Sequence, residues 1–462
     1  MLRTRKRKAA FHAVSPGQPR RPLRTGALFY RTLQTTISLL LPILSVNIIE
    51  AVLRFPLDKQ ENHEYISDVY TVGLRYTIIG CGLLVILLWI NHVLGAFPTI
   101  VQYEQYVILV YIVQAFNQLL LSFSRATNHV KEVSVAGVIT SVVLIGLNLL
   151  FLLYFKWGLI GYFWAVIISN AVANLYYLIK LKTNLFVKLR LSNPKITREM
   201  IVYSFPLIFN TVGWWVNNAS DRYIVTWMCG VAANGIYSVA YKVPSILNVF
   251  HTIFMQAWVL SAVQEYRSDG NASFFHNVYN TYGGLMTILC SVLIILARPI
   301  AHVLFQKEFF QAWQYTPWLL IAVVFGTLSG VLGGVFSAEM DSKMVAISTC
   351  IGAVLNVLLN IILVKPLGPM GAAVATAVSS YVVWIFRIKH TKRYIDMGLR
   401  LKRDHAVYAL LIIQSMLLLW INDNIVYLAT SCFLLILILF LYKEEIKFAV
   451  KKAQQVLLTR QI

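Results

Sequence analysis

The stretch Val133–Phe155 reads VSVAGVITSVVLIGLNLLFLLYF and contains no charged side chain. A helix of about 20 apolar residues crosses the roughly 30 Å hydrocarbon core of a bilayer, so this stretch predicts a transmembrane helix. Twelve further apolar stretches lie along the 462 residues, and 58% of all residues are hydrophobic. That fraction lies well outside the globular range. We therefore predict an all-α polytopic membrane protein with about 13 transmembrane helices.

The charges of the connecting loops alternate along the chain. Odd-numbered connections and the C-terminal tail carry 24 Lys and Arg residues, whereas the even-numbered connections carry only Lys156, Lys307 and Lys365. Loops rich in Lys and Arg stay on the cytoplasmic side of a membrane. The pattern predicts cytoplasmic odd loops and a cytoplasmic C-terminus.

Net charge and cysteine placement restrict the partners. A net charge of +21 would suggest nucleic acid in a soluble protein, but here the cations lie in loops and tails, where anionic membrane lipids are the expected partner. We expect no nucleic-acid binding. The five cysteines fall in or beside apolar stretches without short pairing, and the nine histidines show no ligand spacing, so we expect no metal site.

The chain repeats itself at an offset of 210 residues. Residues 156–169 read KWGLIGYFWAVIIS and residues 366–379 read PLGPMGAAVATAVS, with small residues at matching helical positions. Small residues four apart let membrane helices pack closely. The same offset superimposes five of the apolar stretches on five others. Two lobes of equal orientation around a central cavity, as in transporters with parallel repeats, account for this.

The repeat also predicts the domain organisation and one missing element. The stretch Ile201–Trp227 should have a counterpart near the N-terminus, but the chain begins with a leader containing nine Lys and Arg and no acid before Glu50. We expect that the first helix of the full fold is absent from this chain; a cytoplasmic leader followed by a re-entrant segment is the alternative. The predicted parts are a basic leader (1–31), an N-lobe of five helices (32–181), a cytoplasmic linker (182–199), a C-lobe of six helices (200–390), a basic loop with two extra helices (391–442) and a cytoplasmic tail (443–462).

A polar face on the stretch Ile201–Trp227 is the main candidate site. Its polar pairs recur at intervals of three and four residues, which puts them on one side of a helix. Charges at membrane depth cost about 2.5–3.5 kcal/mol each, so this face should line protein or a water-filled cavity. Amides and indoles suit sugar recognition; the alternative is that Asp221 and Arg222 merely pair with neighbours. The residues of this face are Asn210, Thr211, Trp214, Trp215, Asn217, Asn218, Asp221 and Arg222.

Further polar residues lie near helix ends. Lys242 and Arg298 are cations expected near the outer membrane face, where they either contribute to a substrate site or snorkel to the headgroups. Asn47, Glu50 and Arg54 share a face at the cytoplasmic end of the first stretch. They form either a gate or an interfacial ion pair.

Several motifs, taken in order, resemble a known superfamily. They are SDRY (220–223), GIYSVAYK (235–242), IIEAVLRF (48–55), NVLLN (356–360) and GPMGAA (368–373). Together they resemble the polysaccharide flippases of the multidrug/oligosaccharidyl-lipid/polysaccharide (MOP) exporter superfamily, over about residues 32–442.

The resemblance implies a MATE/MOP-like fold of fourteen helices and a function in the bacterial cytoplasmic membrane. It implies a flippase, not an enzyme, for oligosaccharide repeat units linked to undecaprenyl pyrophosphate, with polysaccharide polymerase and assembly proteins as further partners. Asp221 or Glu50 could couple transport to Na⁺ or H⁺, and the membrane potential is a third energy source; no other cofactor is expected. A multidrug/cation antiporter of the same superfamily is the rival, although cations outnumber acids within these helices.

Overall fold

The part of the chain that the computed structural model describes consists of helices joined by short connecting segments. That part comprises residues 33–34, 36–95, 101–182, 186, 193–267, 272–421 and 423–459, and it contains no strand. The predicted leader 1–31, and with it the prediction of a missing first helix, lies outside the described residues.

Two sets of helices are followed by a C-terminal extension. The first set is α1 (Thr36–Leu44), α2 (Ile48–Arg54), α3 (His63–Leu94), α4 (Glu104–Ala126), α5 (Val130–Asn148, continued as a π-helix over Leu149–Tyr154) and α6 (Gly158–Leu181). The second is α7 (Pro194–Cys229), α8 (Val231–Ala240), α9 (Pro244–Arg267), α10 (Ala272–Ile295), α11 (Ala297–Leu304), α12 (Thr316–Ala338), α13 (Ser342–Leu367) and α14 (Pro369–Thr391). The extension is α15 (Leu401–Trp420), α16 (Asn424–Leu441) and α17 (Lys443–Thr459).

The helices agree with the predicted membrane spans. Among the described residues, ten helices are long and apolar enough to cross a membrane, and the bent pair α1–α2 makes eleven. The two remaining predicted spans correspond to α7 and α15, which carry more polar and charged residues. The prediction of an all-α polytopic membrane fold of about 13 helices is confirmed.

Three predicted stretches are broken rather than continuous. The first bends by 71° between α1 and α2, where Val46 and Asn47 adopt left-handed backbone angles shortly after Pro42. The seventh breaks before Pro244, because proline has no N–H to donate and therefore begins a helix more readily than it continues one. The eighth breaks at Leu296, between α10 and α11.

The repeat is visible in the helix bounds. Subtracting 210 from the starts of α9, α10, α12, α13 and α14 gives positions within two residues of the starts of α1, α3, α4, α5 and α6. The break between α10 and α11 has no counterpart in α3, which runs unbroken to Leu94. The chain therefore builds two repeat-related lobes.

Both lobes meet at one end of the bundle, which we call the linker end because the linker between the lobes starts and finishes there. It holds the segments 55–62, 127–129, 182, 193, 339–341 and 392–400. At this end Leu57 of the first lobe packs in a buried cluster with Val263 and Ala338 of the second. The charge pattern of the loops predicts that the linker end is cytoplasmic.

Candidate functional site

The helix α7 carries the predicted polar face and packs along α13. The side chain of Asn193 accepts a hydrogen bond from the Lys195 N–H and Pro194 occupies the first turn, both of which favour helix initiation. Gly213 permits a close approach, since a Cβ there would lie 3.0 Å from Thr349 Cγ2. The two helices are therefore close enough for short polar side chains to reach across.

Hydrogen bonds join α7 to α13 at two levels that are about two to three turns apart. Thr349 Oγ1 donates to Asn210 Oδ1 at 2.6 Å, and Ser220 Oγ donates to Asn356 Oδ1 at 2.9 Å. Because lipid offers no hydrogen-bonding partner, polar groups at membrane depth need such partners within the protein. Part of the predicted polar face is thus used to join helices.

Asp221 is the centre of the site. Its carboxylate is fully buried (0% exposed) and accepts hydrogen bonds from four side chains. Two donors are four residues apart, one on α8 and one just after it, and the other two are on α13 and α14. The donors are Tyr237 Oη (3.0 Å), Tyr241 Oη (2.9 Å), Asn360 Nδ2 (2.8 Å) and Thr376 Oγ1 (2.6 Å).

These neutral donors take the place of an ion pair. Hydrogen bonds to a charged group contribute about 1.5–3 kcal/mol each, so four of them offset much of the cost of burying a carboxylate. Asn360 Oδ1 is also buried here without a partner. In this arrangement the partners present hydrogen-bond donors to the carboxylate, so the cluster stabilises the negative charge of Asp221.

A cavity of about 400 Å³ lies beside this cluster, inside the second lobe. Among its described lining residues there is no Asp, Glu, Lys or Arg. The amide oxygen Oδ1 of Asn217 is buried there without a protein partner. The polar and aromatic lining residues are Trp214, Asn217, Tyr241, Asn248, His251, Thr252, Thr327, Ser329, Thr349, Thr376, Ser379 and Ser380.

Arg222 lies next to the cluster without forming an ion pair with Asp221. Its guanidinium is 5.1 Å from the centre of the Tyr241 ring, and its Nε is buried without a partner. A cation–π contact stabilises the guanidinium by roughly 0.5–2 kcal/mol but leaves its N–H donors free to bind an anion. Asp221 and Arg222 therefore both contact neighbouring residues of their own lobe, as the alternative interpretation predicted, and not each other.

The structure does not bring Lys242 and Arg298 into the cavity. Lys242 is exposed in the turn between α8 and α9. Arg298, on α11, donates to the carbonyl oxygens of Leu418 and Ile421 and to Asn424 Oδ1. Cations near helix C-termini satisfy the last carbonyl groups, so Arg298 stabilises the end of α15.

The three residues of the predicted gate have separate positions. Asn47 lies in the bend between α1 and α2, with φ of 51°. Glu50 is exposed and interacts electrostatically with Arg125 of α4. Arg54, only 3% exposed, crosses to the second lobe, where its Nε donates to the Ser337 carbonyl at 2.7 Å and its Nη2 to the Ala338 carbonyl at 2.6 Å.

A second arginine makes a similar contact between the lobes. Arg125 Nη2 donates to the Gln256 carbonyl of α9 at 2.6 Å. Both arginines therefore join the first lobe to main-chain oxygens of the second lobe. These contacts lie toward the linker end, since Arg54 and Arg125 are in the last turns of α2 and α4.

Sequence reasoning did not single out several residues of the site. Asn360 and Tyr237 stood only within motifs of the resemblance, and Thr376 only within the repeat. Arg387 of α14 is 3% exposed and donates to the Ser329 carbonyl, Ser348 Oγ and Thr349 Oγ1. Arg387 stands at the start of the basic segment 387–403, so its residue type gave no signal for this buried position.

The arrangement of the helices in two repeat-related lobes is similar to that of solved MOP-superfamily transporters. The structure of MATE in complex with MaL6 is 16% identical, with a TM-score of 0.66, and the match covers 80% of this chain and 88% of that one. A MOP superfamily transporter from Pyrococcus furiosus Vc1 (DSM3638) is 16% identical, with a TM-score of 0.64, over 79% and 86% of the two chains. An outward-facing MATE family transporter is 15% identical, with a TM-score of 0.66, over 81% and 89%.

The sequence profile of polysaccharide biosynthesis proteins matches residues 29–260, half of the chain. The protein belongs to that family, and the predicted resemblance is confirmed. A search of curated proteins gave no match.

Proposed function

We propose that this protein is a flippase that moves oligosaccharide repeat units, linked to undecaprenyl pyrophosphate, across the bacterial cytoplasmic membrane for surface polysaccharide synthesis. The observation that carries the proposal is the chemistry of the cavity in the second lobe. Its lining offers hydroxyl, amide and aromatic groups and no charged side chain among the described residues. Sugar hydroxyls lose hydrogen bonds with water on entering hydrocarbon, and such a lining replaces them.

Arg222 supports binding of the pyrophosphate. Arg222 does not itself line the cavity, but its guanidinium contacts the ring of Tyr241, which does, and its buried Nε has no partner, which suits a ligand with an anionic part next to a sugar. The potential across the membrane then favours export. Moving about two negative charges outward releases roughly 4–5 kcal/mol at 100 mV, inside negative.

The contacts between the lobes support alternating access. Arg54 and Arg125 hold the lobes together at the linker end, which corresponds to a state closed on the proposed cytoplasmic side. Opening requires these donors to leave carbonyl oxygens that water then hydrates. Glu50, whose charge interacts with that of Arg125, is the acceptor available to that arginine in the open state.

Coupling to an ion is a further part of the proposal. Asp221 is the carrier that the surroundings favour, because its buried carboxylate accepts hydrogen bonds from neutral groups, among them Asn360 Nδ2 and Thr376 Oγ1, rather than from a cation. Glu50 is the second carrier. Either Na⁺ or H⁺ fits this chemistry.

A cation antiporter is the second candidate function. The buried carboxylate of Asp221 favours it, since a cationic drug could bind there. Against it, Asp221 is 0% exposed and does not line the cavity. Partners expected for the flippase are the lipid-linked oligosaccharide, polysaccharide polymerase and assembly proteins.

The test compares Arg222→Ala with Arg298→Ala in a host whose own gene is deleted. Deletion should cause lipid-linked repeat units to accumulate and surface polymer to disappear, and the wild-type gene should reverse both. Arg222→Ala should lower export about tenfold or more, because hydrogen bonds to charged groups contribute about 1.5–3 kcal/mol. Lipid-linked and surface glycan are quantified per inserted molecule.

Arg298→Ala is the matched control, because Arg298 is bonded to the end of α15 and lies away from the cavity. It should lower thermal stability but keep export per inserted molecule near the wild-type value. Equal export by Arg222→Ala and wild type would remove Arg222 from the proposed site. Normal glycan with altered drug susceptibility in the deletion strain would favour the antiporter.

A further inference from the structure

A second cavity lies on the outside of the first lobe, between α3, α4 and α6. Its volume is about 800 Å³ and most of its lining side chains are apolar. Leu175, Leu178 and Ile179 of α6 are 57%, 45% and 64% exposed along it. We call this cavity the N-lobe groove.

The second lobe has the same surface, but there it is covered. The repeat relates Tyr70, Leu74 and Asn174 of the groove to Asn280, Gly284 and Trp384. The covering residues come from α15 and from the end of α16. Arg403 Nη2 donates to Asn280 Oδ1 at 2.7 Å, a Cβ on Gly284 would lie 2.9 Å from the Tyr442 ring, and the rings of Trp384 and Tyr408 lie 5.2 Å apart.

The length of the N-lobe groove identifies the kind of molecule that fits it. Its lining on α6 extends from Ala171 to Lys182. At 1.5 Å per residue this is about 16 Å, half of a hydrocarbon core of roughly 30 Å. A spanning helix would need the whole thickness, whereas one chain of a lipid in a single leaflet needs half of it.

Charge identifies the headgroup. Lys182 is the single charged residue among the described residues lining the groove, and it lies at the linker end. It is exposed, just after the last residue of α6. The N-lobe groove thus has one cation at its linker end and, among those lining residues, no acid.

We propose that the N-lobe groove binds an acyl chain of an anionic phospholipid, with the headgroup at Lys182. This lipid site goes beyond the proposed function, because lipid binding there does not depend on which substrate the protein transports. The lipid fills on the first lobe the place that α15 and its neighbours fill on the second.

The experiment uses the purified full-length protein in nanodiscs of phosphatidylglycerol mixed with phosphatidylcholine, followed by native mass spectrometry of retained lipid. Lys182→Ala should lower phosphatidylglycerol retention about fivefold, as expected for one lysine at a lipid surface. The matched control is Lys392→Ala, the repeat-related lysine on the covered side, which should leave retention unchanged. Ala171→Trp should fill the groove and lower retention of both lipids, whereas Val172→Trp, beside the groove but not lining it, should not.

Other outcomes would overturn the proposal. Equal losses from Lys182→Ala and Lys392→Ala would mean unspecific surface charge. Unchanged retention in Ala171→Trp, with unchanged melting temperature, would exclude the groove. A dimer that Ala171→Trp converts to monomer would identify the groove as an interface between copies. Since none of these readouts measures export, failure here leaves the flippase proposal untouched.

Discussion

The repeat-related helices α5 and α13 occupy the same position in the two lobes but differ in chemistry. On α13, Gly352 and Asn360 are buried. The equivalent positions on α5 are Val142 and Leu150, which are 64% and 41% exposed. In the second lobe this helix is buried and hydrogen-bonded to its neighbours, whereas in the first lobe it presents an apolar surface. A repeat therefore conserves helix placement while concentrating hydrogen-bonding chemistry in one lobe.

The largest effect on stability is expected at Asp221, which accepts the most hydrogen bonds among these buried residues. Asp221→Ala leaves four donors without their acceptor in a buried site, so we expect unfolding to become easier by about 3–5 kcal/mol. The measurement is thermal unfolding of the purified protein in detergent. The control is Leu150→Ala on the exposed face of α5, which should change stability by less than about 1 kcal/mol.

Asp221→Asn removes the negative charge of the side chain but keeps its size and shape. It should retain most of the stability and lose export if Asp221 carries the coupling ion. If Asp221→Ala melts like the wild type, the carboxylate does not hold the second lobe together and the contrast between the lobes fails.

A smaller effect should follow from placing on α13 the side chain that α5 carries. A Cβ at Gly352 would lie 2.4 Å from Val383 Cγ2, so Gly352→Val must displace the Val383 side chain or α14 itself. Overpacking of this kind costs about 1–3 kcal/mol. Val142→Leu enlarges the side chain at the equivalent exposed position and should be close to neutral. Equal melting temperatures for both variants would show that α13 is no more tightly packed than α5.

The smallest effect is expected at the contact between the two lobes, where a substitution changes how often the lobes separate. Arg54→Ala removes hydrogen bonds from a charged donor, and a loss of about 1.4 kcal/mol would raise the population open at the linker end about tenfold. Spin labels at Glu61 and Lys343, in a cysteine-free background, report the distance between the lobes by pulsed electron paramagnetic resonance. Lys59→Ala is the control, since its ammonium lies 4.5 Å from the centre of the Tyr65 ring within its own lobe. An unchanged distance distribution in Arg54→Ala would exclude it from the gate.

Hydrophobicity and charge predicted the number of helices because each span must satisfy its own backbone hydrogen bonds in lipid. The first span contains Pro42, a residue type that permits a bend. The angle of 71° and the left-handed residues Val46 and Asn47 depend on packing, which single-sequence periodicity does not contain.

The site was predicted in part. The period of α7 put Asp221 on a polar face, but its partners lie as far as 155 residues away, at Thr376. Arg298 shows the opposite problem. Its residue type suggested either a substrate site or a contact with lipid headgroups, whereas its acceptors are carbonyl groups at the end of α15, 120 and 123 residues further along the chain.

The acceptors of Arg54 have a consequence for how this protein can diverge. The oxygens of Ser337 and Ala338 that it binds belong to the main chain, and every amino acid supplies that oxygen. Substitutions at positions 337 and 338 can therefore accumulate without a compensating change at Arg54. Covariation between alignment columns, which detects contacts through paired substitutions, would miss the connection that holds the two lobes together.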